Sequence, residues 1–148
     1  MDVKATDLEH RSVMDISAAV TVGRVERLVV DPASAQVAGI VLGKADGPET
    51  FLPWASIKAV GADAITIESR AALRAPSGPL EERGAAGDLE PIGKRVLTEA
   101  GDEIGVLGDL LIDGDSGRVL KLGVGERAIE GSSLLGVGDY AAVISRPA

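Results

Sequence analysis

Cysteine is absent from the 148-residue chain. Disulfides, thiolate–metal sites and a cysteine nucleophile are thereby excluded, and the composition suits the cytoplasm, where disulfides are rare. Histidine occurs once, as His10, so a Ser–His–Asp arrangement would have to recruit that one residue. No run of about 18 apolar residues occurs, and no transmembrane helix is expected. The opening MDVKATDLEHRS lacks the basic start and apolar core of a signal peptide. Aromatic residues are only Phe51, Trp54 and Tyr140, which leaves the core to Val, Ile, Leu and Ala. A basic excess is also missing. The formal net charge is −8 with a pI near 4.6, whereas nucleic-acid binders carry a basic footprint. Direct nucleic-acid binding and membrane insertion are therefore not expected.

What is present is glycine, 19 residues spread along the chain with seven prolines. Such punctuation favours many short strands joined by turns over long helices. The charge is divided unevenly. Up to Arg74 there are eight Lys/Arg against ten Asp/Glu; from Ala75 onward there are seven against thirteen. The second half carries the acidic excess.

The chain also repeats itself. GRVERLVVDPASAQVAGIVL (23–42) lies over GVLGDLLIDGDSGRVLKLGV (105–124), with Gly23 on Gly105, Leu28 on Leu110, Asp31 on Asp113 and Val37 on Val119. LPWASIKAVGADAITI (52–67) lies over IEGSSLLGVGDYAAVI (129–144), with Ser56 on Ser133, Val60–Gly61 on Val137–Gly138 and Ile67 on Ile144. The offset falls from 82 to 77 between the blocks, a difference absorbed in the loop LGKADGPETF; surface loops tolerate such changes. Each half is one copy of a single unit.

Within a copy, VERLVV and DLLI read as strands. They stop at DPASA and DGDSG, where an Asp side chain can bond the amides of a turn, and QVAGIVL and RVLKLGV return. Some five short strands without a long helix predict a small closed or nearly closed sheet. The expected fold is all-β: two tandem small barrels over 12–70 and 92–146, an N-terminal tail or short helix over 1–11, and a Pro/Gly/Ala-rich linker over 71–91. Small barrels have modest cores, so the copies are expected to pack on each other or on a second chain, a homodimer included.

The first half, with VGRVERLVVD, VAGIVL, FLPWASIKAVG and AITIES, resembles the PRC-barrel family, named for the photosynthetic reaction centre. The second half keeps the IGVLGDLLID opening and the SSLLGVGD close but has Glu130–Gly131 in place of Pro53–Trp54. The family includes the cytoplasmic domain of the reaction-centre H subunit and the C-terminal domain of the ribosome maturation factor. The resemblance implies tandem PRC-type barrels used as a binding platform. Neither named role transfers, because fold alone does not determine function.

Motifs with catalytic or ligand-binding connotations are better read as turns. GVGERA (123–128) has the form of a dinucleotide loop, but the Gly-rich IEGSSLLGVG after it cannot supply the required helix. DGDSG opens like a calcium loop, but Arg118 and Val124 stand at positions six and twelve, where Gly and Glu are needed. Ser56 and Ser133 sit at turns, where serine bonds nearby backbone. Trp54 is read as a core anchor. No enzyme activity, cofactor or metal is expected.

The reading of function is a non-enzymatic protein-binding or assembly adaptor of the PRC-barrel type. The alternative is an accessory factor in ribosome assembly or RNA processing that acts through a basic ribosomal protein, which would suit an acidic barrel electrostatically. The expected docking residues are Asp109, Asp113, Asp115, Glu126 and Glu130 in or near the turns of the second copy, facing a positively charged protein. Arg27, Asp31 and Ala33 occupy the first three of these positions in the first copy, so apart from Asp113 the charge is not inherited from the repeat.

Overall fold

The computed structural model describes residues 2–145. In chain order its strands are β1 (Asp2–Lys4), β2 (Ser12–Asp15), β3 (Val20–Asp31), β4 (Gln36–Gly43), β5 (Phe51–Pro53), β6 (Ala59–Val60), β7 (Ala64–Ile67), β8 (Arg95–Thr98), β9 (Glu103–Asp113), β10 (Val119–Val124), β11 (Arg127–Glu130), β12 (Leu134–Val137) and β13 (Ala142–Ile144). Two short helices, α1 (Ala5–Leu8) and α2 (Gly78–Ala85), precede the first and second units. No helix among the described residues is long and apolar enough to cross a membrane.

The first sheet runs β5-β4-β3-β2-β7-β6 and the second β11-β10-β9-β8-β13-β12. The order is the same, so the internal repeat is a structural repeat. All-β tandem units are what the sequence predicts. Closure is not reached: among the described residues no ladder joins β5 to β6 or β11 to β12, and each unit is an open barrel. The second boundary expected at 146 lies outside the described residues.

Inward-facing side chains follow a broken alternation. Val25 and Leu28 are both buried although three residues apart, as are Leu107 and Leu110. The cause is a register shift between Val25 and Arg27 against β4, matched by one between Leu107 and Asp109 against β10. A bulge inserts one residue and so returns the next side chain to the same face. Asp15 and Thr98, the two buried polar or charged residues among those described, also occupy equivalent places at the ends of β2 and β8.

The two units share one continuous core and meet in a local two-fold pattern. Val37 N donates to Gly117 O at 2.7 Å and Val119 N donates to Ala35 O at 2.8 Å, about the antiparallel pair Gln36 and Arg118. Gln36 meets its own repeat counterpart, while Val37 meets the counterpart of Ala35 and Ala35 the counterpart of Val37, the self-complementary form of a two-fold interface.

The connecting segments are exchanged across this seam. Residues 2–8, read from the sequence as part of a tail, belong to the second unit's surface: β1 pairs with β9, Asp2 opposite Asp113 and Lys4 opposite Leu111. Leu8 and Ala5 are fully buried; enclosing a side chain such as Leu8 contributes about 1.5–3 kcal/mol. Conversely α2, in the segment before the second unit, packs on β3 of the first. Gly84 lies against Val29, where an added Cβ would sit 2.6 Å from a methyl, and Leu80 and Ala85 cover the small cluster Val29, Val41 and Phe51. The linker is thus docked: Leu73, Gly84 and Leu89 are buried.

Candidate functional site

Asp109 and Arg27 stand at equivalent positions of β9 and β3, and each clasps the segment that crosses to it. The Asp109 carboxylate accepts from Thr6 N at 3.1 Å and Thr6 Oγ1 at 2.7 Å, and its Oδ1 also accepts from Leu110 N. Arg27 donates to Ala85 O at 3.2 Å. Asp109 therefore holds the N-terminal segment and is not in a turn.

Asp113 opens the β9–β10 turn and caps it. Asp115 N donates to Asp113 Oδ1 at 3.0 Å, and Gly117 N donates to Asp113 O at 2.8 Å. The bond from Asp115 N, with smaller help from Ser116, holds the Asp113 carboxyl below its ordinary value. DGDSG is thus a capped hairpin turn. Asp31 does the same in the first unit, accepting from Ala33 N at 3.0 Å.

Trp54 sits in a short 3₁₀ turn after Pro53, and its indole packs on the second unit's turn. A Cβ added to Gly117 would lie 2.7 Å from its ring, so space requires glycine there, and its φ of +78° favours glycine as well. The core reading of Trp54 holds, but the core concerned is the seam. The Nε1–H finds no acceptor among the described residues. Beside the ring, Asp31, Ser34, Gln36, Asp115 and Ser116 line a shallow groove of about 370 Å³. Packing of the copies on each other is what the sequence led one to expect, but not the residues that form the seam. The signal was there in DGDSG, whose glycine has Ala35 as its counterpart.

Glu126 and Glu130 lie elsewhere. Gly125 (φ +60°) and Glu126 form the two-residue turn between β10 and β11, so GVGERA joins strand to strand. Glu130 ends β11 and pairs with Lys121. The six residues of β10 separate Glu126 from the Asp113–Asp115 turn, roughly 17–20 Å at strand rise. The five acidic residues are therefore split: Asp109 in the clasp, Asp113 and Asp115 at the seam, Glu126 and Glu130 along β11.

β11 differs from its counterpart β5 at the backbone. Outside the first sheet, Phe51 N donates to Arg74 O at 2.8 Å and Arg74 N donates to Phe51 O at 3.0 Å. Arg74 also stacks over the Phe51 ring, 4.9 Å from its centroid, and pairs with Glu81. The next outward residue, Pro53, has no N–H. In the second unit Ala128 and Glu130 stand in these places. A two-residue hairpin makes Val124 and Arg127 the hydrogen-bonded pair, so Ala128 and Glu130 direct their N–H and C=O groups away from β10. Among the described residues the Glu130 C=O on that side caps the 3₁₀ turn Gly131–Ser133, while the Ala128 N–H and C=O and the Glu130 N–H have no backbone partner.

Two open barrels of one topology, clasped by exchanged segments, define a tandem small-barrel protein whose distinctive surfaces are sheet edges and turns. The model of the PRC-barrel domain matches residues 1–74 and 87–142, and the chain belongs to the PRC-barrel family. No curated protein matches it.

Proposed function

We propose that this protein is a binding or assembly module without chemistry of its own, and that it docks a positively charged partner protein on its second unit. The observation that supports this is an asymmetry between equivalent units: the acidic excess and the uncovered edge of β11 fall on the same copy, while in the first unit the matching edge is sealed. An acidic surface steers a basic partner and raises its association rate. Glu126 and Glu130 are the residues placed to act on such a partner at this edge.

The test is capture by the full chain from its native cell, followed by purification of the recovered protein and measurement of its association rate. The expected partner is basic, and its association slows as salt rises, because exposed charges are screened over about 8–10 Å at physiological ionic strength. Recovery of a basic ribosomal protein would point to a role in ribosome assembly or RNA processing. An association rate indifferent to salt and to reversal of Glu126 and Glu130 would overturn the acidic-docking reading.

A further inference from the structure

We infer that the outer edge of β11 receives an extended, positively charged segment of a partner protein as an added antiparallel strand. The inference rests on the binding-module reading above and specifies its mode. An unpaired edge is a template for another strand, and proteins commonly guard such edges with proline or a covering segment. The first unit has both guards. Arg74 closes a two-bond bridge to Phe51, Leu73 beside it is buried, and Pro53 removes the next donor. The second unit has neither guard at the equivalent place: the Ala128 N–H and C=O and the Glu130 N–H point outward without a backbone partner, on a strand whose residues are exposed except for half-buried Ile129. The molecule itself thus shows what backbone fits this edge, a short extended segment joined by a two-bond bridge. The acidic surroundings of the second half favour a positive charge on it.

The substitution that tests it is the one the repeat supplies. Glu130 has φ −57° and ψ 132°, and Pro53 has φ −59° and ψ 139°. Glu130→Pro therefore removes the outward donor without asking the backbone to move. The probe is a blocked heptapeptide of alternating lysine and valine, titrated into the full chain with amide resonances followed by NMR. Shifts are expected at Arg127–Glu130, with slowed amide exchange at Ala128 and Glu130. Glu130→Pro should weaken binding about fivefold to tenfold, as expected for one hydrogen bond. Glu130→Gln, which keeps the N–H, should weaken it less, and a glutamate-for-lysine peptide should bind more weakly than the basic one. Shifts centred elsewhere, unchanged exchange at Ala128 and Glu130, or no binding at millimolar peptide would overturn the proposal. So would a homodimer in sedimentation that Glu130→Pro dissolves, because the occupant would then be a second copy. The exchange measurement uses the unmodified protein and stands even where Glu130→Pro fails to fold. If a captured partner binds Glu130→Pro as well as the parent chain, the strand-addition mode fails while the binding-module reading survives.

Discussion

The two units share topology, bulges and an Asp-capped turn, yet their outer surfaces are finished differently. In the first, Trp54 reaches across the seam, Pro53 and Arg74 close the β5 edge, and α2 covers Val29, Val41 and Phe51. In the second, Gly131 replaces the tryptophan, Glu130 the proline, and Leu111, Gly123 and Ala128 stand where the apolar cluster was. A duplicated chain can hold the fold in both copies while one copy supplies the interface and the other keeps an edge exposed. Inward positions are constrained by packing, whereas outward ones answer only to what covers them.

The comparison breaks most severely at the seam. Trp54→Ala removes the ring that bridges the units, and the loss expected for a buried tryptophan is about 3–5 kcal/mol. Chemical denaturation should show it, with the two halves no longer unfolding together. A single transition at an unchanged midpoint would mean that the seam does not couple the units.

Gly131→Ala asks the opposite question of the equivalent site. An added Cβ would lie 1.9 Å from Val119 O, a backbone atom held in the sheet, and overpacking of this kind costs about 1–3 kcal/mol. The expected result is loss of stability in the second unit, read from amide exchange along β10 and β11. Tolerance of alanine would show that the tight approach is not needed.

Asp109→Ala separates the two clasps. It removes both bonds to Thr6, at about 0.5–1.5 kcal/mol for a hydrogen bond. Residues 2–8 should then exchange faster and be cut sooner by protease, while α2, held by Arg27, is unaffected. Equal loosening of both segments would contradict independent clasps.

The smallest effect concerns the segment that leads into the second unit. Burial, reinforced by the charge of Glu9, pushes the Glu90 carboxyl above its ordinary 4.5. A folded value raised above the unfolded one favours the fold fully below pH 4.5, and that contribution is lost as pH rises through the folded value. Glu90→Gln should therefore raise the melting temperature at pH 7 and leave it nearly unchanged at pH 4. A melting temperature at pH 7 equal to or below that of the parent chain would show that the charge of Glu90 is accommodated at no cost.

Much of the fold is legible in the residues. The aligned glycines, Asp31 and Asp113, and the spaced valines and leucines identify two copies of one β unit, because turns and strand periodicity are local properties. The site is only half legible. The acidic excess of the second half can be counted, and the loss of Pro53–Trp54 at Glu130–Gly131 can be seen. Asp113 was legible as the cap of its turn, but Asp109 could not be told from a solvated carboxylate, since its partner, Thr6, depends on a strand crossing.

By itself, then, the sequence determined the repeat, its strands and turns, the absence of thiol chemistry and the acidity of the second half, all of which follow from residue type and short-range spacing. Tertiary structure alone decided that residues 2–8 complete the second unit, that α2 covers the first, that Trp54 rests on Gly117, and that β11 is left open where β5 is closed. Each of these joins residues far apart in the chain. Such pairings are selected by the burial of Leu8, Ala5 and Trp54 and by which backbone groups remain to be bonded, quantities that exist only once both units are folded against each other.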